Sequence, residues 1–163
     1  MSYIIDATVI SELLKKNPNT HVANWAEDYN EEVFFASVTI MELQYGIMRM
    51  GEGKRKDKLS RAIRAILKEC NQRIYDFDSI SASFCASLRC KAQKAGVDPR
   101  LSDCMIAAIC QRNNATLVTH NVEDFEPFGI DVFDPWKYES PTLEMLKKRE
   151  REESGQLTLE LPD

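Results

Sequence analysis

The chain reads as an α/β domain with a mostly parallel sheet of four to five strands. Short apolar runs recur at residues 3–6, 33–37, 73–77 and 116–119, each the length of a buried strand. Stretches with helical spacing separate them, the alternation that parallel β-α-β units produce. No internal repeat and no apolar run of the roughly 18 residues a membrane span requires interrupts the pattern.

Taken in order, Tyr3-Ile4-Ile5-Asp6 is the first strand, and Thr8 to Lys16 a helix stopped by Asn17-Pro18. Val22, Trp25, Ala26 and Tyr29 fall at i, i+3, i+4 and i+7, predicting a second helix over 20–29. Val33 to Ser37 is the second strand, Thr39 to Met50 a helix, and Gly51-Glu52-Gly53 a break. Residues 55–70 form a basic amphipathic helix with Leu59, Ile63, Ile66 and Leu67 as its apolar stripe. Arg73 to Phe77 is the third strand, and Ser79 to Ala95 a long helix ended by Gly96. Ser102 to Asn113 is apolar nearly all round, which places it at the centre of the domain. Thr116 to Thr119 is the fourth strand, Asp131 to Phe133 a fifth, and Asp134-Pro135-Trp136 closes the compact part.

A length of 163 residues fits one domain, 1–137, followed by a charged extension, 138–163. Ser140-Pro141 looks like a helix start, and Leu157 to Leu161 alternates with period two. The start, with an acid at residue six and no basic stretch before it, is unlike a signal peptide, so a cytoplasmic protein is expected. Five cysteines, an odd number without a CxxC pair, read as reduced core thiols rather than a disulfide framework or zinc site. The net charge of −5 is no signature of a nucleic-acid binder, but its distribution is uneven. Residues 49–68 carry eight basic residues against two acids, and residues 138–163 carry four against seven acids. Lys54, Arg55, Lys56, Lys58 and Arg61 make either a solvated helix face or a surface for phosphates.

In a parallel sheet ligands bind outside the carboxyl ends of the strands, where Asp6 ends the first strand and Asp124 follows the fourth; Glu42 and Asp103 are two further candidate acids, on helices. Each has an ordinary reading. Asp6 can cap the next helix, Thr39-x-x-Glu42 fits a capping box, Asp103 suits a first helical turn, and Asp124 can cap a turn. Two of the acids resist these readings. Asp6 ends an apolar strand, and Asp103 opens a helix that continues Cys104-Met105-Ile106-Ala107-Ala108-Ile109-Cys110. If Asp6, Glu42 and Asp103 converge, their repulsion needs a cation. Oxygen-only ligands suit Mg²⁺ or Mn²⁺, and two scattered histidines leave no zinc triad. Such a site hydrolyses phosphodiesters without a covalent nucleophile. No Gly-rich phosphate loop and no G-x-S-x-G elbow competes with it.

Five segments, in order, carry a resemblance: Ile4 to Leu13, Ser37 to Ile47, Ser102 to Ala108, Leu117 to Phe125 and Asp134 to Trp136. Over 1–137 the chain resembles PIN-domain ribonucleases of the VapC/FitB type, the toxin half of bacterial toxin–antitoxin pairs. The resemblance implies a three-layer Rossmann-like fold and Mg²⁺ or Mn²⁺ held by Asp6, Glu42 and Asp103. It further implies an RNA substrate such as tRNA, a homodimer, and a small VapB-like antitoxin in the active-site groove. Relatives differ over a fourth acid. With Asn at 121, Asp124 is the residue assigned here. The expected activity is metal-dependent endoribonuclease. A catalytically silent PIN-like binding module, or a nuclease acting on DNA, would use the same residues.

Overall fold

A computed structural model describes residues 1–142, 144 and 145. Five strands, β1 (Tyr3–Ile5), β2 (Val33–Ala36), β3 (Ile74–Tyr75), β4 (Thr116–Val118) and β5 (Val132–Phe133), form one sheet in the order β3-β2-β1-β4-β5. Every pairing is parallel, and β1 at the centre pairs Ile5 with Phe35 on one side and Val118 on the other. The α/β architecture expected from the sequence is thus present, as a fully parallel five-stranded sheet.

Strand alternation divides the core into two layers, because successive side chains point to opposite faces. Ile4, Leu117 and Val132 join one cluster, packed by α5 (Ser79–Lys94) and α6 (Leu101–Asn113) through Cys85, Leu88, Ile106 and Ile109. Ile5, Val118 and Phe133 join the other, with Val9 and Ile10 of α1 (Ala7–Leu13), Val22 and Trp25 of α2 (Thr20–Asp28) and Ile63 of α4 (Lys54–Glu69). The helix α3 (Ser37–Met48) follows β2 without a loop, and α7 (Val122–Phe125) follows β4. Among the described residues no helix is long and apolar enough to cross a membrane.

The helix over 101–113 is central, as its composition predicts: Ile106 through Cys110 are buried. The capping-box reading of Thr39 and Glu42 is corrected. α3 begins at Ser37 with Ala36 as its cap residue, so Thr39 falls inside the first turn and is fully buried. All five cysteines are free. Cys85, Cys104 and Cys110 are buried and Cys70 partly so, whereas Cys90 is exposed. The first residues of the extension lie back on α2. Tyr138 Oη and Ser140 Oγ each donate to Asp28 Oδ2 at 2.7 Å, and the Tyr138 ring stands edge-on to Tyr29 and Phe133. Pro141 and Thr142 are helical, as Ser140-Pro141 predicts, and the alternating stretch 157–161 lies outside the described residues.

Candidate active site

The sequence delivers Asp6 to the carboxyl end of the central strand. Its backbone N–H continues the sheet by donating to Val118, and its side chain caps α1. Oδ1 accepts from the Thr8 N–H at 2.8 Å, the Thr8 hydroxyl at 2.6 Å and the Val9 N–H at 3.1 Å. Oδ2 accepts from the hydroxyl of Thr119, the residue just past β4. The ordinary role as a cap is therefore real, and it leaves Oδ2 with one protein donor and room for a further ligand.

Asp103 sits in the first turn of α6 and is 5% exposed, next to the fully buried Cys104. Burial is the main cause raising its carboxyl above the ordinary range. The hydrogen bond and charge of Arg100 oppose the rise, and Asp124 and Asp6 add to it. Arg100 Nε donates to Asp103 Oδ2 at 2.9 Å and its Nη2 to Oδ1 at 3.3 Å. The same guanidinium lies 3.6 Å from Asp124 Oδ2. Asp103, then Asp124 and Glu42, hold the Arg100 guanidinium above its ordinary range. Asp103, Asp124 and Glu42 thus share the field of Arg100, and Asp6 joins them through its charge on Asp103.

As a donor set these carboxylates suit a hard divalent ion. In this structure the oxygens of Asp6 accept from Thr8, Val9 and Thr119, and those of Asp103 from Arg100. Among the described residues no three His, Cys, Asp or Glu side chains are grouped as metal ligands. The chemistry of the residues fits such an ion, and both oxygens of Asp103 accept from Arg100.

Glu42 also opens onto a groove of ≈ 510 Å³ between α1, α3 and α4, lined mainly by Leu14, Leu43, Ile47 and Leu59 and edged by Lys15, Arg55 and Lys58. Of the five basic residues singled out on α4, Arg55 and Lys58 therefore face the groove beside Glu42. Lys56 turns to Glu52, with its Nζ at 2.5 Å from Oε1, while Lys54 and Arg61 are exposed and do not line the groove. Residue-by-residue reading missed Arg100 and the two threonines that hold Asp6. The three-residue spacing from Arg100 to Asp103 was the available signal. His120 also borders the site. Its N–H donates to Thr8 Oγ1, its ring stacks on Trp136 at 4.2 Å, and its Nδ1 lies 3.3 Å from Asp134.

Comparison with known proteins is consistent with this geometry. The PIN domain profile matches residues 3–128. The chain is 33% identical over 136 residues to the plasmid stability protein StbB of Pseudomonas syringae pv. tomato, covering 82% of this chain and 98% of that one. It is 32% identical to the toxin FitB of Neisseria gonorrhoeae, covering 82% and 97%, and 28% identical to a VapC ribonuclease of Sinorhizobium fredii, covering 82% and 97%. A solved structure of FitAB bound to a DNA fragment superposes with a TM-score of 0.77 at 30% identity, covering 84% of this chain and 97% of the other.

Proposed function

The chain belongs to the PIN-domain family, and from that premise we propose that it is a divalent-metal-dependent endoribonuclease, the toxin of a toxin–antitoxin pair. The observation that carries the reading is a cluster of acids coupled through Asp103, which pairs with Arg100 beside Asp124 and feels the charge of Asp6, with Asp6 buried at the end of an apolar strand and Asp103 in the first turn of an apolar helix. Capping α1 and pairing with Arg100 account for part of this arrangement, and a bound cation would offset the remaining cost of desolvating neighbouring carboxylates.

Asp6, Glu42 and Asp103 would hold Mg²⁺ or Mn²⁺, with Asp124 at the rim. When bound, such an ion polarises a phosphoryl oxygen and makes a water nucleophilic near neutral pH. The chain's own part is orientation. Thr8 and Thr119 fix the rotamer of Asp6 so that the same oxygens always face the crevice. Arg55 and Lys58 place positive charge beside Glu42, where an RNA backbone would approach, a term that supplies affinity without sequence choice. The nuclease unit is residues 1–137, and 138–140 dock onto it through Asp28.

The groove beside Glu42 is the seat proposed for the antitoxin, an apolar trough that an amphipathic helix of a partner would fill. A second copy of the chain is assigned to another face. Met41, Tyr45 and Met48 are 53%, 61% and 71% exposed at i, i+4 and i+7 on α3, an apolar stripe turned to solvent. The reading is tested by incubating the purified protein with structured RNA such as tRNA, with Mg²⁺ or with EDTA. Cleavage that requires metal, and that Asp103→Asn lowers by at least about a hundredfold, is expected. Cleavage undiminished in that variant overturns the site. Metal-dependent cleavage of DNA in place of RNA overturns the substrate.

A further inference from the structure

Arg100 is placed against the local electrostatics of its helix. It occupies the N-cap position of α6, with extended φ −60° and ψ 142°, where the helix dipole disfavours a cation. Its position is explained by the carboxylates instead. It engages both oxygens of Asp103, whose side chain is 8% exposed, and reaches Asp124, while Glu42 lies within its field. A two-point guanidinium–carboxylate pair of this kind is stronger than a neutral hydrogen bond and fixes the carboxylate's orientation.

We propose that Arg100 is the built-in counter-cation of the acidic site, and that a divalent ion has to displace its guanidinium from Asp103 in order to bind. The proposal rests on the metal-site reading above. Two features support the displacement. Both oxygens of Asp103 accept from Arg100, one donor each, so a divalent ion binding them would have to sit against the positive charge of the guanidinium. The Arg100 side chain is 68% exposed, so it can swing into solvent without opening the core. Asp124 remains within reach as a fallback partner, at 3.6 Å already. The device makes metal affinity weaker than four carboxylates alone would produce. It also spares the metal-free protein an uncompensated buried charge.

The full chain provides the test in two measurements. In ¹⁵N-labelled protein, the Nε–H resonance of Arg100 is identified by its disappearance in Arg100→Gln and followed as Mg²⁺ is added. It is expected to start shifted and protected and to move to the position of a free arginine as the site saturates. Calorimetric titration with Mn²⁺ is then compared for wild type, Arg100→Gln, Arg100→Lys and Lys58→Gln. Loss of the competing pair should tighten Mn²⁺ binding at least about threefold in Arg100→Gln. Arg100→Lys, which keeps the charge and loses the fork, should fall between. Lys58→Gln, which removes a nearby charge outside the pair, should change affinity less than Arg100→Gln does. An Nε–H resonance unmoved at saturating Mg²⁺ overturns the proposal, as does Mn²⁺ affinity in Arg100→Gln no tighter than in Lys58→Gln. If no variant and not the wild type binds Mn²⁺, the metal-site reading itself fails and the proposal with it.

Discussion

Replacing Asp6 separates its two roles, and the structure supplies the magnitudes. Its Oδ1 caps α1 through two backbone N–H groups, a contribution of about 1 kcal/mol. Truncation to alanine also strips the buried Thr119 and the Thr8 hydroxyls of their acceptor, about 1–2 kcal/mol more. The opposing gain is relief of repulsion with the other acids, and it is small, because Asp6 ranks last among the causes that raise Asp103. Asp6→Ala should therefore lose about 2–3 kcal/mol, or about 5–10 °C in Tm for a chain of this size. Asp6→Asn keeps an oxygen for the Thr8 and Val9 N–H groups, and Asn caps as well as Asp, so its Tm should stay within about 3 °C of wild type. Both variants should lose metal-dependent RNA cleavage. Urea and thermal unfolding in metal-free buffer provide the assay. An Asp6→Ala protein as stable as wild type would refute the capping argument. An Asp6→Asn protein that still cleaves would refute the catalytic one.

Three further outcomes follow from the same reasoning. Hydrogen bonds from Ser140 and then Tyr138 hold the Asp28 carboxyl below its ordinary range, so it stabilises the fold above the unfolded-state pKa and loses that contribution as pH falls through the lower folded value. Asp28→Asn should thus unfold at lower temperature than wild type near neutral pH, with the two melting curves converging in acid. Thr39 Oγ1 is buried without a hydrogen-bond partner, so Thr39→Val, which keeps the shape and removes the hydroxyl, should raise stability by about 1 kcal/mol in urea unfolding. If the exposed stripe of α3 is the proposed self-association face, Tyr45→Lys should lower the sedimentation coefficient from that of a dimer to that of a monomer while leaving Tm within a few degrees, and an unchanged coefficient would refute that face.

The fold was legible because hydrophobic period and strand length agree along the chain. Ile4 and Ile5 announce a strand buried on both faces, and Leu101–Asn113 announces a buried helix. What local reading cannot deliver is tertiary. Thr119 and Asp6 meet across 113 residues of sequence because β1 and β4 are neighbours, a pairing no spacing rule states. Thr39 and Glu42 have the spacing of a capping box, but β2 runs straight into α3, so the threonine is carried inward and Ala36 takes the cap position. Arg100 looked like one residue of a loop. Its role appears only when Asp103 is seen to be buried and Asp124 to be adjacent. The basic run of α4 was visible in composition, but only two of the five residues singled out there face the groove beside Glu42.

Whether the buried acids bind a divalent ion is decided by Mn²⁺ titration of wild type against Asp103→Asn, with unfolding followed in parallel. Wild type is predicted to bind Mn²⁺ and to gain stability from it, while Asp103→Asn folds, binds at least about tenfold more weakly and gains correspondingly less. Equal Mn²⁺ affinity in the two proteins would remove Asp103 from any metal site.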